Sequence, residues 1–113
     1  PKVHSGAITT DALLEMSRKG LGMTSVVDAD NTLLGIFTDG DLRRILDMRT
    51  DVHQTPIDQV MTTGAITATA DMLAAEALQL MESRKINGLI VVNSQQQVVG
   101  AFNMHDILQS GVL

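Results

Sequence analysis

Two short stretches place residues that could do chemistry at the same spacing. In GIFTDGDLRRIL, residues 35–46, an apolar run stops at Thr38, and a carboxylate follows three residues on, at Asp41. In GAFNMHDILQSG, residues 100–111, Asn103 and Asp106 repeat the arrangement. A hydroxyl or amide, two spacers and an acid, set where a strand hands over to a helix, has two uses. One is a helix cap: the first side chain accepts from an N–H of the first turn while the acid reaches back, for about 1 kcal/mol. The other is a ligand site. N–H groups converge at a helix start and carry partial positive charge, which suits a phosphate, and a carboxylate there can accept both hydroxyls of a ribose. Gly40 would let a ligand approach the backbone. Arg43 and Arg44 lie in the early turns, where the dipole disfavours a cation unless it faces an anion or water. The spacing leaves both readings open.

The elements that must position these residues form an internal repeat. Shifted by 65 residues, segment 13–46 lies on segment 78–111 without a gap. Leu13/Leu78, Met16/Met81, Val26/Val91, Val27/Val92, Gly35/Gly100, Phe37/Phe102 and Asp41/Asp106 are identical. Each copy begins with a helical face, Thr9, Ala12, Leu13 and Met16 matching Ala74, Ala77, Leu78 and Met81 at i, i+3, i+4, i+7 spacing. Thr10 or Asp71 can cap these helices, and Gly20 and Gly88 can turn the chain after them. Two β-rich runs follow, 25–27 with 33–37 and 89–92 with 98–102, separated by DADNT and NSQQQ as in hairpins. A second helix spans about 39–48 and 104–109. Ile66-Thr67-Ala68-Thr69 reads as a strand opening the second copy, and Pro1-Lys2-Val3-His4 takes its place in the first. Thr55-Pro56-Ile57-Asp58 reads as a capped helix start whose counterpart falls ahead of residue 1, so the chain reads as the C-terminal piece of a longer protein. The expected fold is α/β (α+β): two β-α-β-β-α units related by a pseudo-two-fold, with residues 1–50 as the first motif, 51–65 as linker and short helix, and 66–113 as the second motif. Packed together, two such units can bury faces that one alone would expose.

Composition narrows the function. The net charge is −5, with eight Lys and Arg, and only Phe37 and Phe102 are aromatic, so phosphate neutralisation and base stacking on nucleic acid or an anionic membrane are not expected. No apolar run nears the ~20 residues of a membrane span. The chain has no cysteine, which fits a reducing cytoplasm. His4, His53 and His105 lack metal-ligand spacing. DADNTLLGIFTD has Leu33 and Asp39 where a calcium loop needs Gly and Glu, and reads as a hairpin turn. No phosphate loop or catalytic triad can be assembled. Catalytic residues and metal ligands: none expected.

The two units, each ending in aliphatic-Gly-aliphatic-x-polar-x-x-Asp, resemble a pair of CBS motifs, the tandem called a Bateman module. More narrowly, ALLEMSRKGLGMT, GIFTDGDLRR and NMHDIL resemble the tail of the bacterial D-arabinose 5-phosphate isomerases, in which a sugar-isomerase (SIS) domain precedes a CBS pair. That resemblance implies that Thr38 and Asp41 hold the ribose of a nucleotide, with Gly22, Met23 and Thr24 lining a base pocket. In the second unit Asp106 and Asn103 would take the ribose and Asn87, Gly88 and Leu89 the base, with Asn103 standing where the family has a hydroxyl. His105 could reach a phosphate or carboxylate, or lie on the surface. It implies a regulatory module of a bacterial, cytoplasmic isomerase that interconverts D-arabinose 5-phosphate and D-ribulose 5-phosphate for Kdo and lipopolysaccharide. The ligand would be a nucleotide (AMP, ADP or ATP) or the end product CMP-Kdo, with no required cofactor. The SIS domain, absent from this chain, would carry catalysis, and the pair would join a homo-oligomer, a dimer or a tetrameric parent. The alternative is a purely structural subunit-association module without ligand.

Overall fold

The computed structural model describes residues 2–19 and 22–109, without the side chains of residues 18, 19, 106 and 109. Gly20, expected to turn the chain, lies outside the described residues. The chain divides into two units, Pro1–Ala65 and Ile66–Leu113. The first runs β1 (Lys2–His4), α1 (Thr9–Lys19), β2 (Met23–Val27), β3 (Leu33–Thr38), α2 (Asp39–Asp47) and a 3₁₀ turn (Ile57–Gln59). The second runs β4 (Thr67–Thr69), α3 (Ala74–Arg84), β5 (Gly88–Val92), β6 (Val98–Asn103) and α4 (Met104–Gln109). Each is thus the β-α-β-β-α unit expected from the repeat.

The sheets are built alike. β2 sits between β1, to which it is parallel, and β3, to which it is antiparallel. β5 sits in the same way between β4 and β6. A parallel neighbour requires a crossover, which α1 and α3 supply. Both hairpins close on the same device. Asp28 Oδ1 accepts the N–H groups of Asp30 and Thr32, each at 2.9 Å, and Asn93 Oδ1 accepts those of Gln95 and Gln97 at 2.9 Å. Such Asx turns let a side chain stand in for backbone. Asn31 and Gln96 take the left-handed conformation these turns need. The DADNT stretch is therefore a hairpin turn, as its residues indicate.

The apolar periodicity becomes two cores. In unit 1, Ala12 and Met16 of α1 meet Val26, Phe37 and Ile45; in unit 2, Ala77 and Met81 of α3 meet Leu89, Val91 and Ile107. Unit 1 also buries Ile57 and Val60, from the segment beyond α2. That segment binds unit 1 through polar contacts as well. Carbonyls of Thr55 and Val52 accept the N–H groups of Thr9 and Thr10, at 2.9 and 3.2 Å, and so cap α1. Asp58 accepts the Ser5 hydroxyl at 2.5 Å and the Gly6 N–H at 2.6 Å. Those two bonds, the hydroxyl first, hold the Asp58 carboxyl below its usual range.

Four local expectations are corrected. Thr55-Pro56-Ile57-Asp58 starts only a three-residue 3₁₀ turn capped by no side chain, and the Thr55 hydroxyl instead donates to the Asp51 carbonyl. Thr10 lies inside α1 and leaves its capping to the segment above. Asp71 does not cap α3, whose N-cap is Leu73; it accepts the Thr69 hydroxyl at 2.6 Å. Gly88 pairs with Asn103 as the first residue of β5, and the turn after α3 is made by Lys85 at φ 58°.

Candidate functional site

The polar residues singled out in unit 1 gather where β3 passes to α2. Thr38 ends β3 in an extended conformation (φ −124°) and α2 begins at the next residue, so its side chain lies over the first turn. A full capping box results. Thr38 Oγ1 accepts the Asp41 N–H at 3.3 Å, and Asp41 Oδ2 accepts the Thr38 N–H at 3.0 Å and its hydroxyl at 3.2 Å. The other carboxylate oxygen looks toward the segment after the 3₁₀ turn. Asp41 Oδ1 accepts the Thr62 hydroxyl at 2.8 Å and Arg44 Nη2 at 3.2 Å, and the same Arg44 nitrogen donates to the Val60 carbonyl at 2.7 Å. Asp41 is 7% exposed. A carboxylate offers about four acceptor positions, and four donors occupy this one. Arg44 is committed here rather than held out for an anion; Arg43 is exposed and makes no ion pair among the described residues.

The residues expected on the base side lie alongside. Met23 pairs with Thr38 and Thr24 with Phe37 across the β2–β3 ladder. Both are buried, and Thr24 Oγ1 is a buried hydroxyl with no hydrogen-bond partner among the described residues. Gly22, at φ +70°, presents its carbonyl to the Asp39 N–H at 3.2 Å, and a Cβ there would stand 3.1 Å from Asp39 Oδ2. Gly22 and Asp39 join Leu13, Met16, Ser17 and Leu42 around an open hollow of about 340 Å³. Among the described residues a Cβ on Gly40 would meet only Thr38 Oγ1, at an ordinary 3.6 Å.

Unit 2 places its counterparts in the same register. Gly88 pairs with Asn103 and Leu89 with Phe102. The Asn87 carbonyl takes the Met104 N–H at 2.9 Å, as Gly22 takes that of Asp39. Gly88 and Leu89 are buried, Asn103 is half-buried, and Asn87 and His105 are exposed. Asp106 belongs to α4, but its side chain lies outside the described residues. Among the described residues no three acidic or histidine side chains cluster as a metal site would need.

Sequence reasoning missed Thr62 and the Val60 carbonyl. Thr62 follows Asp41 by 21 residues, and no local spacing signals that contact.

Fold and turn together define a paired-repeat α/β module whose polar groups meet at a strand-to-helix junction. The chain belongs to the CBS domain family, whose model matches residues 1–48 and 57–112. The resemblance carried by GIFTDGDLRR and its partner motif therefore holds. Along its whole length the chain is 57% identical to arabinose 5-phosphate isomerase KdsD of Pseudomonas aeruginosa and 48% identical to that of Escherichia coli K12. It spans only about a third of the length of these relatives, 35% and 34% respectively. Among solved structures, the CBS domain pair of protein MJ0100, in complex with 5′-methylthioadenosine and S-adenosyl-L-methionine, superposes with a TM-score of 0.84 at 26% identity, covering 96% of this chain and 88% of that one. No helix among the described residues is long and apolar enough to cross a membrane.

Proposed function

We propose that the chain is the regulatory nucleotide-binding module of a longer bacterial, cytoplasmic sugar-phosphate isomerase. The observation that carries this reading is the Thr38–Asp41 turn, set beside Met23 and Thr24, in a chain of the CBS family. The MJ0100 pair, at 26% identity, was found with two adenosine derivatives. Because Asp41 already has four donors, a ribose diol must displace some of them. Thr62 is the natural one to leave, since the Thr38 N–H is fixed by the capping box. Occupancy would then free Thr62 from Asp41 and so report to the segment that enters the second unit. AMP, ADP, ATP and CMP-Kdo are the ligands to test, with the turn at Asn103, His105 and Asp106, backed by Asn87, Gly88 and Leu89, as a second seat. In the longer protein the reaction would interconvert D-arabinose 5-phosphate and D-ribulose 5-phosphate on the way to Kdo and lipopolysaccharide, with catalytic groups in an SIS domain.

Calorimetric titration of the chain with those four nucleotides tests the reading. One of them should bind saturably, and Asp41→Asn should lose it. Thr62→Val removes a competing hydrogen bond of about 1 kcal/mol, so it should bind that nucleotide roughly fivefold more tightly. No heat from any of the four, in the wild type and in Thr62→Val alike, rejects the proposal. A ligand-free subunit-joining module is the second reading. It is favoured by the saturated Asp41 carboxylate and by the exposed Leu14, Leu46 and Met48. A stable dimer on sizing, indifferent to nucleotide, selects it.

A further inference from the structure

The chain has four asparagines, Asn31, Asn87, Asn93 and Asn103, and they are held very differently. Asn31 and Asn93 serve the hairpin turns. Asn31 Oδ1 accepts Lys2 Nζ at 2.8 Å, and the N–H that follows it, on Thr32, is spent on Asp28 Oδ1 at 2.9 Å. Asn93 Oδ1 accepts two N–H groups at 2.9 Å, and its Nδ2 donates to Gln97 Oε1 at 3.0 Å. Asn103 is half-buried, and the N–H that follows it, on Met104, is donated to the Asn87 carbonyl at 2.9 Å. Asn87 differs on every count. It is exposed, and its side chain makes no hydrogen bond among the described residues. The residue after it is Gly88, which has no Cβ to shield its nitrogen. Because the Asn87 carbonyl points at β6, the trans peptide turns the Gly88 N–H away from β6. On that side the ladder with β4 begins only at Ile90, two residues on.

We infer that Asn87 is a self-modification site, where the chain converts its own amide to aspartate or isoaspartate with water as the only co-reactant. The Gly88 nitrogen attacks Asn87 Cγ. A bond forms between them as the Cγ–Nδ2 bond breaks, and ammonia leaves with the proton that Gly88 gives up. Water then opens the resulting five-membered imide. Addition at Cγ gives aspartate. Addition at the main-chain carbonyl gives isoaspartate, in which the chain runs through Cγ and the old carbonyl becomes a free carboxylate. That carbonyl is the one that takes the Met104 N–H at the start of α4, so isoaspartate displaces the acceptor behind the Asn103 turn. Under the 65-residue shift the counterparts in unit 1 are Gly22 and Met23, which hold no amide, so ageing at this junction is confined to unit 2. The chemistry needs no nucleotide and stands apart from the ligand reading.

Incubation of the chain at mildly alkaline pH, folded and in urea, followed by trypsin digestion and mass spectrometry, tests the inference. Lys85 is the last Lys or Arg of the chain, so one peptide carries Asn87, Asn93 and Asn103 together, and fragment ions assign each gain of one mass unit. In the folded chain Asn87 should convert within about tenfold of its rate in urea, since only the first residue of β5 must loosen, whereas Asn93 and Asn103 should convert measurably only in urea. Asn87→Gln, whose longer side chain closes no five-membered ring, should show no gain at that position. The aged chain should melt below the fresh one, and Asn87→Gln treated alike should not. An Asn87 that survives in the folded chain while the urea-unfolded chain converts it overturns the inference, as does conversion of Asn93 or Asn103 alongside it. An aged chain that melts as the fresh one does overturns the effect on α4.

Discussion

Gly35→Ala and Gly100→Ala make the same chemical change at equivalent points of the repeat and should have opposite consequences. At Gly35 the new methyl group would lie 2.8 Å from the Thr62 carbonyl oxygen, about 0.6 Å inside ordinary contact. Met61 Sδ, the other close atom, ends a flexible side chain and can swing away. Thr62 cannot easily retreat, because two 2.8 Å bonds tie it to Ile36 and its hydroxyl is held by Asp41. Overpacking of this kind costs about 1–3 kcal/mol, and straining those hydrogen bonds adds about 1 kcal/mol. Loss of glycine flexibility in the unfolded chain returns roughly 0.4–1 kcal/mol. The expected net loss is about 2 kcal/mol, or roughly 8 °C in melting temperature for a domain of this size. Among the described residues a Cβ on Gly100 would meet nothing within 4 Å, so Gly100→Ala keeps only the flexibility term and should be neutral or slightly stabilising. The chain has neither Trp nor Tyr, so far-UV circular dichroism during urea unfolding is the suitable readout. Two variants of equal stability, within about 0.5 kcal/mol, would refute the close approach of residues 61–62 to β3.

Three further outcomes follow from single side chains. Lys85 ends α3 in the left-handed conformation at φ 58°, so Lys85→Gly should raise stability by about 1 kcal/mol; a loss in urea unfolding would count against that turn. The Thr24 hydroxyl is buried without a partner among the described residues, so Thr24→Val should also stabilise, by about 1 kcal/mol; a destabilised variant would mean that the hydroxyl has a partner. Asp58 has a lowered pKa, so the stability it contributes is whole above its unfolded value of about 3.8 and fades as pH falls through its lower folded value. Acid unfolding of Asp58→Asn, followed below about pH 4, should therefore be flatter than that of the wild type, and superimposable profiles would rule out the Ser5–Gly6 clamp.

The repeat and the order of its elements were legible because each element carries its own periodicity and the second copy states it again. The capping role of Thr38 and Asp41 was legible because its partners lie three residues apart. What was not legible depends on contacts distant in sequence. Thr62 reaches Asp41, and Thr55 and Val52 cap α1, across separations that no local pattern encodes. Lys85 shows a different failure. Intrinsic preference assigns a left-handed turn to glycine, but pairing with β6 draws Gly88 into the ladder and leaves the turn to a lysine.

The family match for the second repeat begins at residue 57, yet residues 57–65 fold with the first unit, where Ile57 and Val60 complete the core. The boundary of inheritance and the boundary of folding are therefore offset. A gene fragment cut where the motifs divide would strip one half of its closing layer and leave the other with an apolar leader that belongs to its neighbour's core. Swapping such repeats between proteins should succeed only when the join is moved downstream, to Ala65.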